Sequence, residues 1–343
     1  MRLSDYKTMT DSYSIFSRDA LFLVWGPPAY GPRSRALSRE LGLSSIHYIY
    51  STRRRGFASS LLKYPHQALN TLELLFRKRP RLVFVQSPPS LAIIFVWLYC
   101  QASGARYVVD AHSDAFQRAV WLRPSVLYRF LARKALATIV TNQRFGDLLE
   151  GWGARALILR DVPTEYASNG RYGVAGKFNV AVVNTFAQDE PLDAVMEAAA
   201  DLPEVHFYVT GDIGRAPQSL DLSARSNVHF TGFLPDETYY TLLHSVDAVM
   251  CLTTRDSTMQ RGACESLAIG KPIITSNWPI LRDYFRSGAV HVDNTPDGIG
   301  EGVLRLKNHY DSYLGQIREL QISQQREWTE KRELLATLVR QQA

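Results

Sequence analysis

Cysteine is scarce in this chain of 343 residues, and the three present, Cys100, Cys251 and Cys264, lie in apolar surroundings with no Cys-x-x-Cys pair. That usage argues against a disulfide framework and a thiolate zinc site, and leaves buried thiols. Long hydrophobic runs are missing too. The longest, LAIIFVWLYC at residues 91–100, is about half of the roughly 20 residues a spanning helix needs. The opening MRLSDYKTMTDSYSIFSRDA has no apolar core of a signal peptide, so the expectation is a cytoplasmic chain. No nucleic-acid module is recognisable, which sets nucleic acid aside as a partner. Acidic residues are thin along one stretch. Arg53, Arg54, Arg55, Lys63, Arg77, Lys78, Arg79 and Arg81 are opposed by Glu73 alone, and Arg118, Arg123, Arg129, Arg133, Lys134 and Arg144 follow within a net charge of +6. A basic first half by itself suits anionic lipid, nucleic acid or a phosphorylated substrate; ordinary solvated helix faces account for about half of these residues.

What is present is the composition of a folded protein, 46% hydrophobic and 21% charged. The length predicts two domains of roughly 150 residues each. Short apolar runs alternate with helical patterns: ALFLVWG (20–26), SIHYIY (45–50), RLVFVQ (81–86), ARYVVDAH (105–112) and ATIVTN (137–142), then FNVAVVN (178–184), VHFYVTG (205–211), VHFTG (228–232), DAVMCLT (247–253), KPIITS (271–276) and AVHVD (289–293). Strands of this fully apolar kind, separated by helices, predict parallel sheets covered on both faces. The expected fold is α/β, with two Rossmann-like, doubly wound domains facing a central cleft. Their expected bounds are 1–160 and 178–305, with a linker at 161–177 and a C-terminal helical segment at 306–343.

Ligands of open α/β sheets settle at the carboxyl ends of strands, so the residues just after each strand are the site candidates. After the first strand, Gly31 shapes a loop leading into a helix whose first turn holds Arg33, Ser34 and Arg35, so N–H groups and guanidiniums face the cleft; a merely structural loop fits equally. Asp110 and His112 follow ARYVV on the same side of the chain, and either is placed to take a proton from an attacking hydroxyl. The alternative is a capping aspartate and a satisfied imidazole. In the second half Thr185, Thr210 and Gly211 allow close approach of a ligand, while Asp189, Glu190 and Asp212 read as helix-start acids. The stretch TTRDSTMQRGACESLAIGKP gathers Thr253, Thr254, Arg255, Ser257 and Thr258 before a helix expected over 258–269, with Arg261 one turn in. Hydroxyls, unpaired N–H groups and the positive helix end make this a diphosphate site. Glu265 has no solvent face on that apolar helix, and the cost of burying it unpaired predicts a ligand hydroxyl as its partner.

The segment from NVHFTGFLPDETYYTLLHSVDAVM through the Glu-containing helix, GKP and a strand resembles the donor-binding half of GT-B glycosyltransferases of the group 1 or family 4-like kind. The resemblance is strong over 178–295 and consistent in strand order over 20–160. It implies a glycosyltransferase moving a sugar from a nucleotide-sugar donor, UDP favoured and GDP next, to a glycan or lipid-linked acceptor in cell-surface polysaccharide or glycolipid synthesis. In that family a pair of glutamates flanks the donor. Glu265 matches the one at the ribose, and Ser257 stands where the other is expected. The family's Arg and Lys pair for the diphosphate is missing near FAQDEP, with Arg255 and Arg261 as substitutes. No Asp-x-Asp occurs, in keeping with metal-independent transfer, so no metal or other cofactor is expected. The resemblance also implies work at the inner membrane surface. WLRPSVLYRFLARKAL (121–136) mixes aromatic and basic residues as an interfacial helix does, or as a core-facing one. Two other readings share the fold: a nucleotide-sugar 2-epimerase, and a non-catalytic sugar-nucleotide binding subunit.

Overall fold

The computed structural model describes residues 19–28, 32–43, 45–50, 57–168, 170–217, 225–256 and 258–341. Gly31, Arg53, Arg54, Arg55 and Ser257 lie outside the described residues. The chain divides into two compact units, the described residues up to Val162 together with those from Trp328 on, and Pro163–Glu327.

The first unit runs β1 (Ala20–Val24), α1 (Pro32–Glu40), β2 (Ser45–Tyr48), α2 (Phe57–Lys78), β3 (Leu82–Ser87), α3 (Leu91–Ser103), β4 (Arg106–Ala111), the short helices α4 (Asp114–Gln117) and α5 (Ala119–Leu122), α6 (Ser125–Lys134), β5 (Thr138–Val140), α7 (Gln143–Gly151) and β6 (Ala156–Ile158). Its strands are all parallel in the order β2-β1-β3-β4-β5-β6. Alternation along the strands splits the apolar residues between two faces. Leu21, Leu23, Val83 and Val85 pack under α2, α3, α6 and α7, while Phe22, Phe84 and Val108 face Leu37 of α1 and a late segment holding Trp328, Leu335 and Ala336.

The second unit runs β7 (Phe178–Val182), α8 (Leu192–Ala200), β8 (Val205–Thr210), β9 (Val228–Gly232), α9 (Asp236–Ser245), β10 (Ala248–Cys251), α10 (Arg261–Ile269), β11 (Ile273–Ser276), α11 (Pro279–Tyr284), β12 (Ala289–Val292) and α12 (Pro296–Asn308). The order β12-β11-β10-β7-β8-β9 puts β7 beside β10, and the strand order reverses between them. The carboxyl ends of β7 and β10 therefore frame the crevice in which such sheets take ligands. The last helix, α13 (Tyr310–Arg340), belongs to both units. Ile317 and Leu320 sit in the second unit's core, and Trp328, Leu335 and Ala336 in the first unit's.

Three expectations change. A sixth strand, β6, completes the first sheet; its three residues are too few to show a period. Residues 121–136 are not one helix, because Arg123 and Pro124 interrupt α5 and α6, and α6 turns Tyr128, Leu131 and Ala132 into the core. The polar tail also divides: α12 closes the second unit through Ile299, Val303 and Leu306, and His309 separates it from α13.

Candidate functional site

In the second unit the chain leaving β7 folds around carboxylates. Glu190 accepts hydrogen bonds from the Thr185 N–H (2.8 Å) and hydroxyl (3.0 Å) and from the Ala187 N–H (2.9 Å). Asp189 crosses to the loop after β10. It accepts from the Thr253 hydroxyl at 2.9 Å and pairs with Arg255 at 3.3 Å, and its backbone carbonyl takes the Thr254 N–H at 2.7 Å. These two acids thus precede α8 and tie loops together, so the helix-start reading does not hold for them. It holds for Asp212, whose side chain accepts from the Gly214 N–H in a short helical turn. Thr210 accepts the Asn184 N–H at 3.2 Å, and Gly211, at φ +112°, lets the Asn184 carbonyl come where a Cβ would stand 2.5 Å away. Thr185, Thr210 and Gly211 therefore shape the loop itself.

The helix after β10 starts later than its sequence suggests. Gln260 is extended at φ −86°, ψ 115°, so α10 begins at Arg261 rather than Thr258, and no side chain caps it. Gly262 explains the position. A Cβ there would lie 2.7 Å from both Cys251 Sγ and Val183 Cγ1, so the first turn of α10 rests on the ends of β10 and β7. Its N–H groups and dipole point their positive end at the sheet's reversal point. Partly buried Thr258 leads into this turn.

Glu265 is 6% exposed, and its carboxylate is satisfied within the protein. It accepts from Tyr239 (2.8 Å), Tyr240 (3.4 Å) and Arg261 Nε (3.0 Å), and Arg261 Nη2 donates to the Tyr166 hydroxyl at 2.8 Å. The premise that a ligand must supply its partner is thereby removed. Burial, then the adjacent Glu265 charge, pushes both tyrosine hydroxyls up, which keeps them protonated as donors. Burial also raises the Cys251 thiol well above its usual range. Beyond β9, Phe233 stands 79% exposed.

In the first unit Asp110, at the end of β4, is fully buried. Arg33 Nε lies 3.5 Å from its Oδ1, and Oδ2 takes the Ser34 hydroxyl and His112 Nε2, each at 3.2 Å. Ser34 also donates to Gln86 at 2.8 Å. Burial raises this carboxyl, but His112, Arg33 and Ser34 outweigh it and hold it down at about 2. A carboxylate ionised at neutral pH requires Nε2 to carry a proton, and in the neutral form of the ring the lone pair then sits on Nδ1. His112 has a side chain 23% exposed, and among the described residues Nδ1 has no hydrogen-bond partner. Arg33 is anchored by the Leu159 and Arg160 carbonyls.

The structure brings Asp110, His112 and Arg33 together in one unit; in the other it ties Thr253 and Arg255 to Asp189, and Arg261 to Glu265. Sequence reading missed Gln86, Tyr166, Tyr239 and Tyr240. The paired tyrosines of α9 were the one visible hint. Among the described residues no group of three or more His, Cys, Asp or Glu side chains is placed to hold a metal ion.

Known proteins give these arrangements a family. Residues 19–163 match the family described as glycosyl transferase 4-like domain, and residues 172–309 match glycosyl transferases group 1. No curated protein sequence matches the chain. Among solved structures, sucrose-phosphate synthase from Thermosynechococcus elongatus superposes with a TM-score of 0.65 at 13% identity, covering 94% of this chain and 99% of its own. Anabaena HepE in complex with UDP and glucose gives 0.64 at 13% identity, with 94% and 99% covered. A putative UDP-N-acetylglucosamine 2-epimerase from Listeria monocytogenes gives 0.58 at 11%, with 88% and 91% covered. Two parallel six-stranded sheets, each matched by its own family domain, place the chain in the group 1, family 4-like glycosyltransferases of GT-B fold.

Proposed function

We propose that the protein transfers a sugar from a nucleotide-sugar donor, held by the second unit, to a hydroxyl of a glycan or lipid-linked acceptor handled by the first. The observation that carries this reading is the uncapped start of α10, seated on the ends of β7 and β10 with Arg261 at its first position and Arg255 in the loop before it. The positive helix end and two guanidiniums suit a diphosphate, and they stabilise the charge it gains on leaving. HepE structures carry UDP, UDP with glucose, and UDP-glucose, which supports a UDP-sugar as the first donor to test. Phe233 offers the nucleobase a flat apolar partner.

On the acceptor side the roles of Asp110 and His112 divide. Asp110 has no solvent contact and too little basicity to take a proton, so it orients the imidazole. His112 Nδ1 accepts the acceptor hydroxyl proton as the oxygen bonds to the anomeric carbon. The bond from that carbon to the diphosphate breaks, and its electron pair leaves with the nucleotide. These residues supply the base and the leaving-group stabilisation themselves, and the reading invokes no metal.

The first unit also bears a mixed apolar and basic face on α2, α3 and α6. Phe76, Leu98 and Val126 are exposed, with Lys78, Arg133 and Lys134 among the exposed cations. We read this face as the approach to an anionic membrane surface carrying the acceptor. Among the described residues no helix is long and apolar enough to cross a membrane.

Thermal-shift titration with UDP-, GDP- and ADP-sugars tests the donor, followed by turnover with lipid-linked acceptors. A donor-specific shift and acceptor-dependent nucleotide release are expected. An epimer formed from a UDP-sugar alone would replace transfer by epimerisation, and binding without turnover would leave a binding subunit.

A further inference from the structure

Arg261 occupies a position that helix energetics disfavour. It is the first residue of α10, at the positive end of the dipole, and its partner Glu265 lies four residues later, the reverse of the orientation that stabilises helices. A pair set against the dipole is not there for the helix. The surroundings show what the arrangement achieves instead. Glu265 accepts from Arg261 Nε and Tyr166 accepts from Nη2, so one edge of the guanidinium is held at two points. Each holder is itself fixed. Tyr239 and Tyr240 clamp the carboxylate, the Tyr166 ring stacks on Tyr240 with centroids 4.4 Å apart, and His244 Nε2 lies 2.8 Å from the Tyr166 carbonyl oxygen. The Arg261 side chain nevertheless keeps 40% of its surface in solvent, above the uncapped first turn.

We propose that Tyr166 and Glu265 are positioning residues that aim Arg261 at the donor diphosphate, so that Glu265 acts through the arginine and not by contact with the ribose. The inference rests on the donor reading above. A long arginine side chain loses rotamer freedom when it is fixed. With two holders in place, that freedom is already lost before the anion arrives. The guanidinium then meets the diphosphate pre-organised. Tyr166 belongs to the segment that enters the second unit, so a residue far from α10 in sequence completes the anion site.

The test measures binding of UDP, GDP and ADP, each against its own nucleoside and, for UDP, against 2′-deoxy-UDP, in wild type and in Tyr166→Phe, Glu265→Gln and Arg261→Gln. Tyr166→Phe keeps the ring stack and removes only the hydroxyl. Diphosphate affinity is expected to fall about tenfold in Tyr166→Phe and in Glu265→Gln, with nucleoside affinity and the preference for ribose over deoxyribose unchanged. Arg261→Gln is expected to bring the diphosphate close to its nucleoside. A purely structural role would lower the melting temperature and leave the ratio of diphosphate to nucleoside affinity intact, which overturns the proposal. Equal losses for nucleotide and nucleoside in Glu265→Gln, with the deoxyribose discrimination erased, overturn it in favour of a ribose contact. If no wild-type diphosphate binds better than its nucleoside, the donor reading itself fails and the proposal with it.

Discussion

Asp110 lies inside a parallel sheet with no access to water, and a charge there persists only if neighbouring groups replace its hydration. Arg33, Ser34 and His112 pull the carboxyl from its ordinary 3.8 to about 2 against the opposing push of burial, with Oδ1 meeting Arg33 as an ion pair and not as a hydrogen bond. A carboxylate depressed in the folded state stabilises above its unfolded value, and that stability is lost as the pH falls through the folded one. Urea unfolding should therefore lose on the order of 2 kcal/mol from this group between about pH 4 and pH 2. Asp110→Asn should flatten that limb while costing about 3–5 kcal/mol at neutral pH, because Arg33 and His112 lose the negative charge between them and one of its two accepting oxygens becomes a donor. Gly262 makes the opposite point with no chemistry at all. A methyl group 2.7 Å from Cys251 Sγ and Val183 Cγ1 must push α10 off the strand ends, so Gly262→Ala should cost about 1–3 kcal/mol in denaturant and weaken diphosphate binding as well. A variant that kept wild-type affinity would separate the seating of α10 from anion binding.

At the scale of elements, the mixed face of α2, α3 and α6 makes a prediction of its own. Cosedimentation with phosphatidylglycerol vesicles should occur at low salt, fade as salt screens the cations, and fall in Lys78→Glu/Arg133→Glu, with neutral vesicles ignored throughout. Equal pelleting with both vesicle types would remove the anionic surface from the reading. These helices also show what a sequence can and cannot disclose. Strands such as FNVAV and LVFVQ were legible because apolar residues fill both faces of a buried parallel strand, and no other short element needs that. The start of α10 was not legible, since Gln260 is helix-compatible by itself and only the packing of Gly262 against two strand ends fixes where the helix begins. Glu265 was rightly read as buried, and its environment was misread. The tyrosines that satisfy it, Tyr239 and Tyr240, come from α9, and Tyr166, from the segment entering the second unit, holds the arginine it pairs with, contacts that no sequence period shows. Asp189 looked like a helix-start acid for the same reason, because Thr253 and Arg255 reach it from a different strand.

For the molecule as a whole, stability should divide along the two units while α13 links them. Trp328 is 4% exposed in the first unit's core, so Trp328→Ala should lower that unit's stability by about 3–5 kcal/mol. A saturating nucleotide, at about one hundred times its dissociation constant, should stabilise the second unit by about 2.7 kcal/mol. Differential scanning calorimetry of the variant with UDP should therefore show two separated transitions, the lower belonging to the first unit and unmoved by the ligand. A single transition that shifts as a whole would show that α13 makes the units melt together.

The same helix sets an order of events during synthesis. Phe22, Phe84 and Val108 are made before the second unit, yet the residues that finish covering their face of the sheet, Trp328, Leu335 and Ala336, are translated only after it. At about 5–20 residues per second, that gap leaves a greasy sheet face waiting for tens of seconds while the whole second unit is made and folds. The nascent chain thus matures backwards: the unit that is started first is finished after the one that follows it.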